Sequence, residues 1–199
     1  MTRSVIIYLI GVLFLTINFS CKTEKNPVSS NDSPLEISPL KLNNQWYLKF
    51  TSFDSLGNPS YSRYDTITVC CDTIYSGHTF FRYSGLTKTW YYNDARGLWR
   101  VTCNPGSGFD QPVLNRKYPC SQGDQFDDGM VVSVDTVVNV EYGEVRCILY
   151  RTGYQSGITY IDDYMKPGIG SIKSTIYLSN SNQEFVKFSE YELVDYKLE

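Results

Sequence analysis

The chain has 199 residues, with 18 Lys and Arg against 21 Asp and Glu, one His, and a formal net charge of -3 at pH 7. This balance gives no basic surface for nucleic acid, so no nucleic-acid partner is predicted. With a single His, catalysis by imidazole and metal binding lack their commonest side chain. We predict neither a cofactor nor a metal site.

The N-terminal segment is typical of a bacterial signal peptide. Arg3 supplies positive charge, and residues 5–17 form an apolar run, shorter than the roughly 20 residues of a membrane span. Residues 18–21 read Asn-Phe-Ser-Cys, which resembles the lipobox of bacterial lipoproteins. We therefore expect residues 1–20 to be removed and Cys21 to carry the lipid. An uncleaved anchor helix is the alternative, and it would also hold the protein at a membrane.

The segment after the lipobox is predicted to be a flexible tether. Residues 21–38 are polar, contain Pro27 and Pro34, and have too few apolar side chains to offset the cost of ordering the chain. The remainder, residues 39–199, has the length of one domain.

Composition and alternation predict an all-β domain. Ala95 is the only alanine, whereas 17 Tyr and 10 Phe favour strands. Trp46, Leu48 and Phe50 alternate with polar neighbours, as in a strand with one buried face. The same period of two recurs at residues 66–71 and 145–150, and turn residues occupy 77–78, 84–85, 153–157 and 179–182. We expect consecutive hairpins in a curved antiparallel sheet, a half-barrel or a sandwich.

A weak internal sequence repeat suggests that the domain consists of two halves, residues 39–103 and 119–199. Residues 77–80 read Gly-His-Thr-Phe, and residues 157–160 read Gly-Ile-Thr-Tyr at an offset of 80 positions. Unrelated hairpins that reuse the same turn and strand residues would produce a similar repeat. Duplication and chance similarity therefore both remain interpretations.

The same region carries a family resemblance. Residues 166–173 read Lys-Pro-Gly-Ile-Gly-Ser-Ile-Lys, a Pro-Gly-aliphatic-Gly turn that feeds a strand ending in Lys. Together with residues 94–98 and 123–126, this segment resembles uncharacterised β-rich bacterial lipoproteins. The resemblance implies an exported lipoprotein and carries no chemistry to transfer. From its residue types, we expect the turn at Pro167 to set strand register.

Five cysteines remain once Cys21 is lipidated, and an exported protein meets an oxidising compartment. Cys103 and Cys120 flank a loop rich in Gly and Pro, so we predict a disulfide between them, worth roughly 3 kcal/mol in the chain-entropy view. A bridge from Cys71 to Cys147 is the second candidate, because alternation places both on inward faces of their strands.

Catalytic signals are weak throughout the chain. His78 lies in a predicted turn, and no Gly-flanked serine resembles a nucleophile elbow. The pairs Asp127-Asp128 and Asp162-Asp163 could serve a glycosidase, but adjacent acids in turns are usually solvated. Asp124 and the acids after it lack the alternating spacing of a calcium loop. We predict no catalytic residue and no enzyme.

Aromatic residues give the better functional signal. Trp90, Tyr91 and Tyr92 lead into a turn at residues 93–97, and Trp99 follows it. Such side chains can stack on sugars or anchor a protein, although they can equally form cross-strand pairs that hold the sheet.

We therefore expect a non-catalytic binding module, lipid-anchored to the outer membrane, for a glycan, a lipid-like ligand or an envelope protein. A structural accessory subunit of an envelope complex is the alternative, and a hydrolase comes third. An apolar cavity would favour lipid-like cargo, and a flat aromatic strip would favour glycan or protein.

Overall fold

Thirteen antiparallel strands form one open sheet, as the alternation predicted. The computed structural model describes residues 36–127, 129–153, 158–180 and 183–199, and these contain no helix. The strands are β1 (Gln45–Phe53), β2 (Pro59–Tyr75), β3 (His78–Tyr83), β4 (Thr89–Asp94), β5 (Gly97–Asn104), β6 (Gly108–Phe109), β7 (Val113–Lys117), β8 (Gln125–Phe126), β9 (Gly129–Val140), β10 (Gly143–Thr152), β11 (Thr159–Lys166), β12 (Gly170–Ser179) and β13 (Phe185–Lys197). The prediction of an all-β fold is confirmed.

The first and last long strands meet in the middle of the sheet. The strand order is β6-β5-β4-β3-β2-β1-β13-β12-β11-β10-β9-β8, and β7 pairs with the outer edge of β5. Consecutive hairpins build the runs β1 to β5 and β9 to β13, as predicted. Antiparallel pairing of β1 with β13, with Gln45 opposite Lys197, joins the two runs.

The sheet curves so that strands far apart in its order share a core. One buried cluster combines Leu98 of β5 with Tyr150 of β10 and Met165 of β11. Because these strands lie in different runs, their side chains can meet only if the sheet bends around them. A second cluster continues the core along the central strands and contains Trp46, Leu48, Val69, Cys147, Ile172 and Leu193. Burial of these apolar surfaces is the main stabilising contribution.

The folded core begins before the boundary predicted at residue 39. Ile37 is 1% exposed and Ser38 is 4% exposed. The backbone N–H of Gly168 donates a 2.7 Å hydrogen bond to the carbonyl of Glu36, and the side-chain amide of Asn93 donates one of 2.8 Å to the carbonyl of Ser38. The predicted signal peptide, Cys21 and the tether up to residue 35 lie outside the described residues.

Two β-bulges change which side chains face inward. The register of β2 shifts between Val69 and Cys71, so Val69 faces the core opposite Tyr83 whereas Cys71 lies opposite Arg82 on the outer face. The prediction that Cys71 faces inward is therefore wrong. In β10 the register shifts after Cys147, and the next core positions are Ile148 and Tyr150 instead of Leu149. A bulge inserts an extra residue into one strand, which a strict period of two does not anticipate.

The turn that follows β11 has the geometry expected from its residues. Lys166 lies opposite Gly170 at the end of the β11–β12 hairpin. Gly168 has φ 81° and Gly170 has φ 98°, a region that favours glycine. The turn therefore connects two paired strands in a hairpin, and its role in setting their register stays a prediction.

Candidate functional site

The concave face of the sheet encloses a cavity of about 300 Å³. This volume lies at the lower end of the range for small-molecule sites. Strands β1, β2, β4, β5 and β11 supply its apolar wall, which consists of Trp46, Leu48, Ile67, Tyr91, Leu98 and Met165. Leu86, in the turn after β3, also lines the cavity and is 39% exposed, so we infer that the opening lies beside this turn.

A buried ion pair forms one side of the cavity. Arg116 of β7 is 8% exposed, and its Nη2 pairs with Oδ2 of Asp163 on β11. The guanidinium carbon also lies 5.7 Å and 5.8 Å from the ring centres of Phe126 and Tyr150, within the range of cation–π attraction. The curvature of the sheet creates this arrangement, because it brings β7 against β11.

One donor of this arginine is left without a partner. Arg116 Nη1 donates to the backbone and side-chain oxygens of Asn115, whereas Nε is buried and has no hydrogen-bond partner among the described residues. A buried donor without a partner costs about 1–3 kcal/mol.

Two phenols add neutral polar groups to the same cavity. The hydroxyl of Tyr83 is 2.9 Å from Ser38 Oγ, and the ring packs edge-on against Trp46 with ring centres 5.7 Å apart. Burial raises the pKa of Tyr83 and of Tyr91 above the usual value of tyrosine. Both phenols therefore stay protonated, so the cavity holds neutral hydroxyls and one balanced ion pair.

The aromatic residues singled out in the sequence fall on two faces of the sheet. Tyr91 faces inward and lines the cavity, whereas its neighbours Trp90 and Tyr92 face outward with Trp99. Tyr92 and Trp99 are stacked with centres 5.9 Å apart, and Arg96 covers Trp99 at 4.4 Å. The four residues thus do not form one strip, and the outward ones pack against each other as cross-strand pairs do.

The predicted disulfides are not formed. All five cysteines in the described part of the chain are free thiols. The bulge in β2 turns Cys71 to the outer face, whereas Cys147 is 2% exposed inside the core. Cys120 packs beside Tyr150, with its sulfur 3.6 Å from the phenol oxygen, and Cys103 lies opposite Phe109 at the β5–β6 end of the sheet.

Of the two acidic pairs, Asp162-Asp163 is engaged by neighbouring cations. Asp162 is 4% exposed and accepts hydrogen bonds of 2.7 Å and 2.8 Å from Arg151, while Asp163 is held by Arg116. Asp128 lies outside the described residues. Within the described ranges, no group of three or more His, Cys, Asp or Glu is placed to hold a metal ion.

No helix in the part of the chain that the structure describes is long and apolar enough to cross a membrane.

No protein-family model matches the chain, and no curated protein matches it. Two solved structures do match. One is a candidate lipoprotein from Parabacteroides distasonis, with 12% sequence identity, 83% of this chain and 100% of that chain covered, and a TM-score of 0.47. The other is a candidate exported protein with a YmcC-like fold from Bacteroides fragilis, with 14% identity, the same coverage of 83% and 100%, and a TM-score of 0.46.

Proposed function

We propose that the protein is an exported, lipid-anchored binding protein of the cell envelope whose cavity takes one small amphiphile. The signal peptide and Cys21 support the export and the anchor. The observation that carries the binding role is the apolar cavity of about 300 Å³ with the Arg116–Asp163 ion pair in its wall.

The body of the ligand is apolar. Trp46, Leu48, Leu98 and Met165 are each less than 10% exposed and all line the cavity. An alkyl or terpenoid group that fills this space is removed from water, which stabilises the complex by roughly 25 cal/mol for each Å² of apolar surface buried.

The head of the ligand is a neutral hydrogen-bond acceptor. The charge of Arg116 is already balanced by Asp163, so an anionic head would compete with that carboxylate and leave it buried without a partner. An ester, amide or hydroxyl oxygen can instead accept a hydrogen bond from a hydroxyl group of the lining, which leaves the ion pair intact. Neutral amphiphiles are therefore preferred over fatty acids.

The lining of the cavity favours binding over catalysis. Among the described residues that line the cavity, Asp163 is the only carboxylate and is engaged by Arg116, and none is His or Cys. General acid–base and nucleophilic mechanisms both need a group free to exchange a proton.

Calorimetric titration of the purified protein with monooctanoin and with octanoate tests the proposal. We expect monooctanoin to bind more tightly, and Met165→Trp to weaken it about tenfold or more because the larger ring fills the cavity. Val137→Trp is the matched control, since Val137 is 48% exposed and does not line the cavity. Equal binding by the two variants, or no binding of either amphiphile to the unaltered protein, contradicts the proposal.

A further inference from the structure

A second cleft, of about 390 Å³, lies on the outer face of the sheet. It lies between the β2–β3 turn and the segment that follows β6. Its lining includes Tyr75, His78, Phe80, Tyr92, Phe109 and Gln111. Because successive side chains of a strand point to opposite faces, Phe80 and Tyr92 face this cleft while Phe81 and Tyr91 face the core side.

The floor and walls of the cleft are a packed set of aromatic rings. Phe80 is 1% exposed and Tyr92 is 6% exposed, which makes them a fixed floor. Phe109 stacks on Phe80 with centres 5.4 Å apart and planes inclined by 20°. Tyr75 packs against Phe109 at 4.8 Å, and His78 packs against Tyr92 at 4.6 Å. The exposed rings are thus held in place before a ligand arrives, which lowers the entropic cost of binding.

The rim of the cleft is polar, and most of its side chains are without a hydrogen-bond partner among the described residues. The exposed side chains of Ser76, His78 and Gln111 take part in no hydrogen bond with another described residue. Asp110 differs, because its two carboxylate oxygens accept hydrogen bonds of 2.9 Å and 2.8 Å from the Asn104 amide. The free groups are a hydroxyl, an imidazole and an amide, and the carboxylate is already engaged.

We propose that this cleft is a glycan-binding site that takes a neutral sugar residue. The C–H face of a pyranose ring is apolar and packs on aromatic rings, while its hydroxyls at the edge donate and accept hydrogen bonds. The cleft presents these two kinds of surface side by side. A plain alkyl chain would leave Ser76 and Gln111 without partners, and an anionic ligand would meet the carboxylate charge of Asp110, which the neutral Asn104 amide does not cancel.

Saturation-transfer NMR and calorimetry with maltotriose, mannotriose and chitotriose test the site on the full protein. We expect at least one trisaccharide to bind, and both Tyr75→Ala and His78→Ala to weaken it about tenfold or more. Tyr61→Ala is the matched control, because Tyr61 is a 55% exposed aromatic residue that does not line the cleft, and it should bind as the unaltered protein does.

The remaining outcomes overturn the proposal. These are no binding of any of the three sugars, or binding that the cleft variants leave unchanged. Self-association of the protein that Tyr75→Ala abolishes would show that the cleft receives a second copy of the chain instead. Monooctanoin binding should be the same in Tyr75→Ala and the unaltered protein, which keeps failure of this site distinct from failure of the inner cavity.

Discussion

The indole Nε1 of Trp46 donates a 2.6 Å hydrogen bond to the carbonyl oxygen of Ile169. Trp46 belongs to β1 and is 5% exposed, whereas Ile169 lies in the β11–β12 turn and is 2% exposed. A Cβ atom added to the next residue, Gly170, would lie 3.1 Å from Ser38 Oγ and 3.6 Å from Trp46 Nε1. The backbone of this turn is therefore fixed by contacts with β1 and with the segment that precedes β1.

The substitution Gly170→Val should lower the free energy of unfolding by about 1–3 kcal/mol through backbone strain alone, because its φ is 98°. The close contact with Ser38 adds to this loss. Gly57→Val is the control, since Gly57 has φ 80° and no atom within 4 Å of an added Cβ. Urea denaturation of both variants measures the difference. Equal losses would show that the contact with Ser38 contributes nothing.

The thiols should differ strongly in reactivity. The sulfur of Cys70, 3.2 Å away, and Nη2 of Arg82, also 3.2 Å away, lower the pKa of Cys71. Burial raises the pKa of Cys147 to about 12. Because the thiolate is the reactive form, Cys71 should be alkylated first and Cys147 only on unfolding.

Timed alkylation of the reduced protein with iodoacetamide, followed by peptide mass spectrometry, measures these rates. Arg82→Gln should slow the reaction of Cys71 and leave that of Cys103 unchanged. Comparable rates at Cys71 and Cys147 in the folded protein would contradict the assignment of Cys71 to the outer face. A linked Cys103–Cys120 peptide after oxidation would restore the disulfide predicted from the sequence.

Acid should destabilise the protein partly through Glu190, which is 6% exposed. Burial would raise its pKa, but hydrogen bonds from Lys173 and Lys187 hold the pKa below the ordinary 4.5. A carboxyl with a lower pKa in the folded state stabilises the fold above its unfolded pKa, and this contribution is lost as the pH falls through the folded value.

We expect Glu190→Gln to lower stability at neutral pH by about 1–3 kcal/mol and to reduce the further loss on acidification. Melting curves between about pH 7 and pH 3 test this, with Glu144→Gln, an exposed position, as the control. An unchanged pH dependence in Glu190→Gln would show that other carboxyl groups dominate acid unfolding.

The lipid anchor gives a prediction in cells. Cys21→Ala should abolish labelling by radioactive palmitate, because Cys21 is the predicted site of the lipid. Cys120→Ala serves as the matched control and should be labelled as the unaltered protein is. Undiminished labelling of Cys21→Ala would contradict the assignment of the lipid to Cys21.

The fold class could be predicted from the sequence because alternation within strands and turn residues each depend on short stretches of the chain. Alternating residues such as Trp46 and Leu48 do face the core, and the glycines after Pro167 do form a tight turn. Alternation failed at Cys71 and Leu149, where bulges shift the register by a residue. Nothing in the binary pattern of these strands marks the extra residue.

The inner cavity was harder to predict because it depends on the curvature of the sheet. Arg116 and Asp163 are 47 positions apart, and β7 pairs with β5 whereas β11 belongs to the other run, so their pairing follows from the bend of the whole sheet. By contrast, the division of Tyr91 from Trp90 and Tyr92 follows from alternation alone. The aromatic residues 90–92 therefore include side chains from both faces of the sheet. Only the geometry of the sheet shows which of them line the inner cavity and which line the outer cleft.

The pairing of β1 with β13, at the centre of the sheet, joins the two paired strands that are farthest apart in the sequence. The hairpins on either side form from neighbouring segments of the chain. The β1–β13 pair, by contrast, must close a loop that spans nearly the whole domain, so we expect this pair to form slowly. Until Phe185–Lys197 has been synthesised, β1 and β12 each present an unpaired inner edge. Such edges recruit other chains. A chain that stops before residue 185 should therefore aggregate, although most of its hairpins are intact.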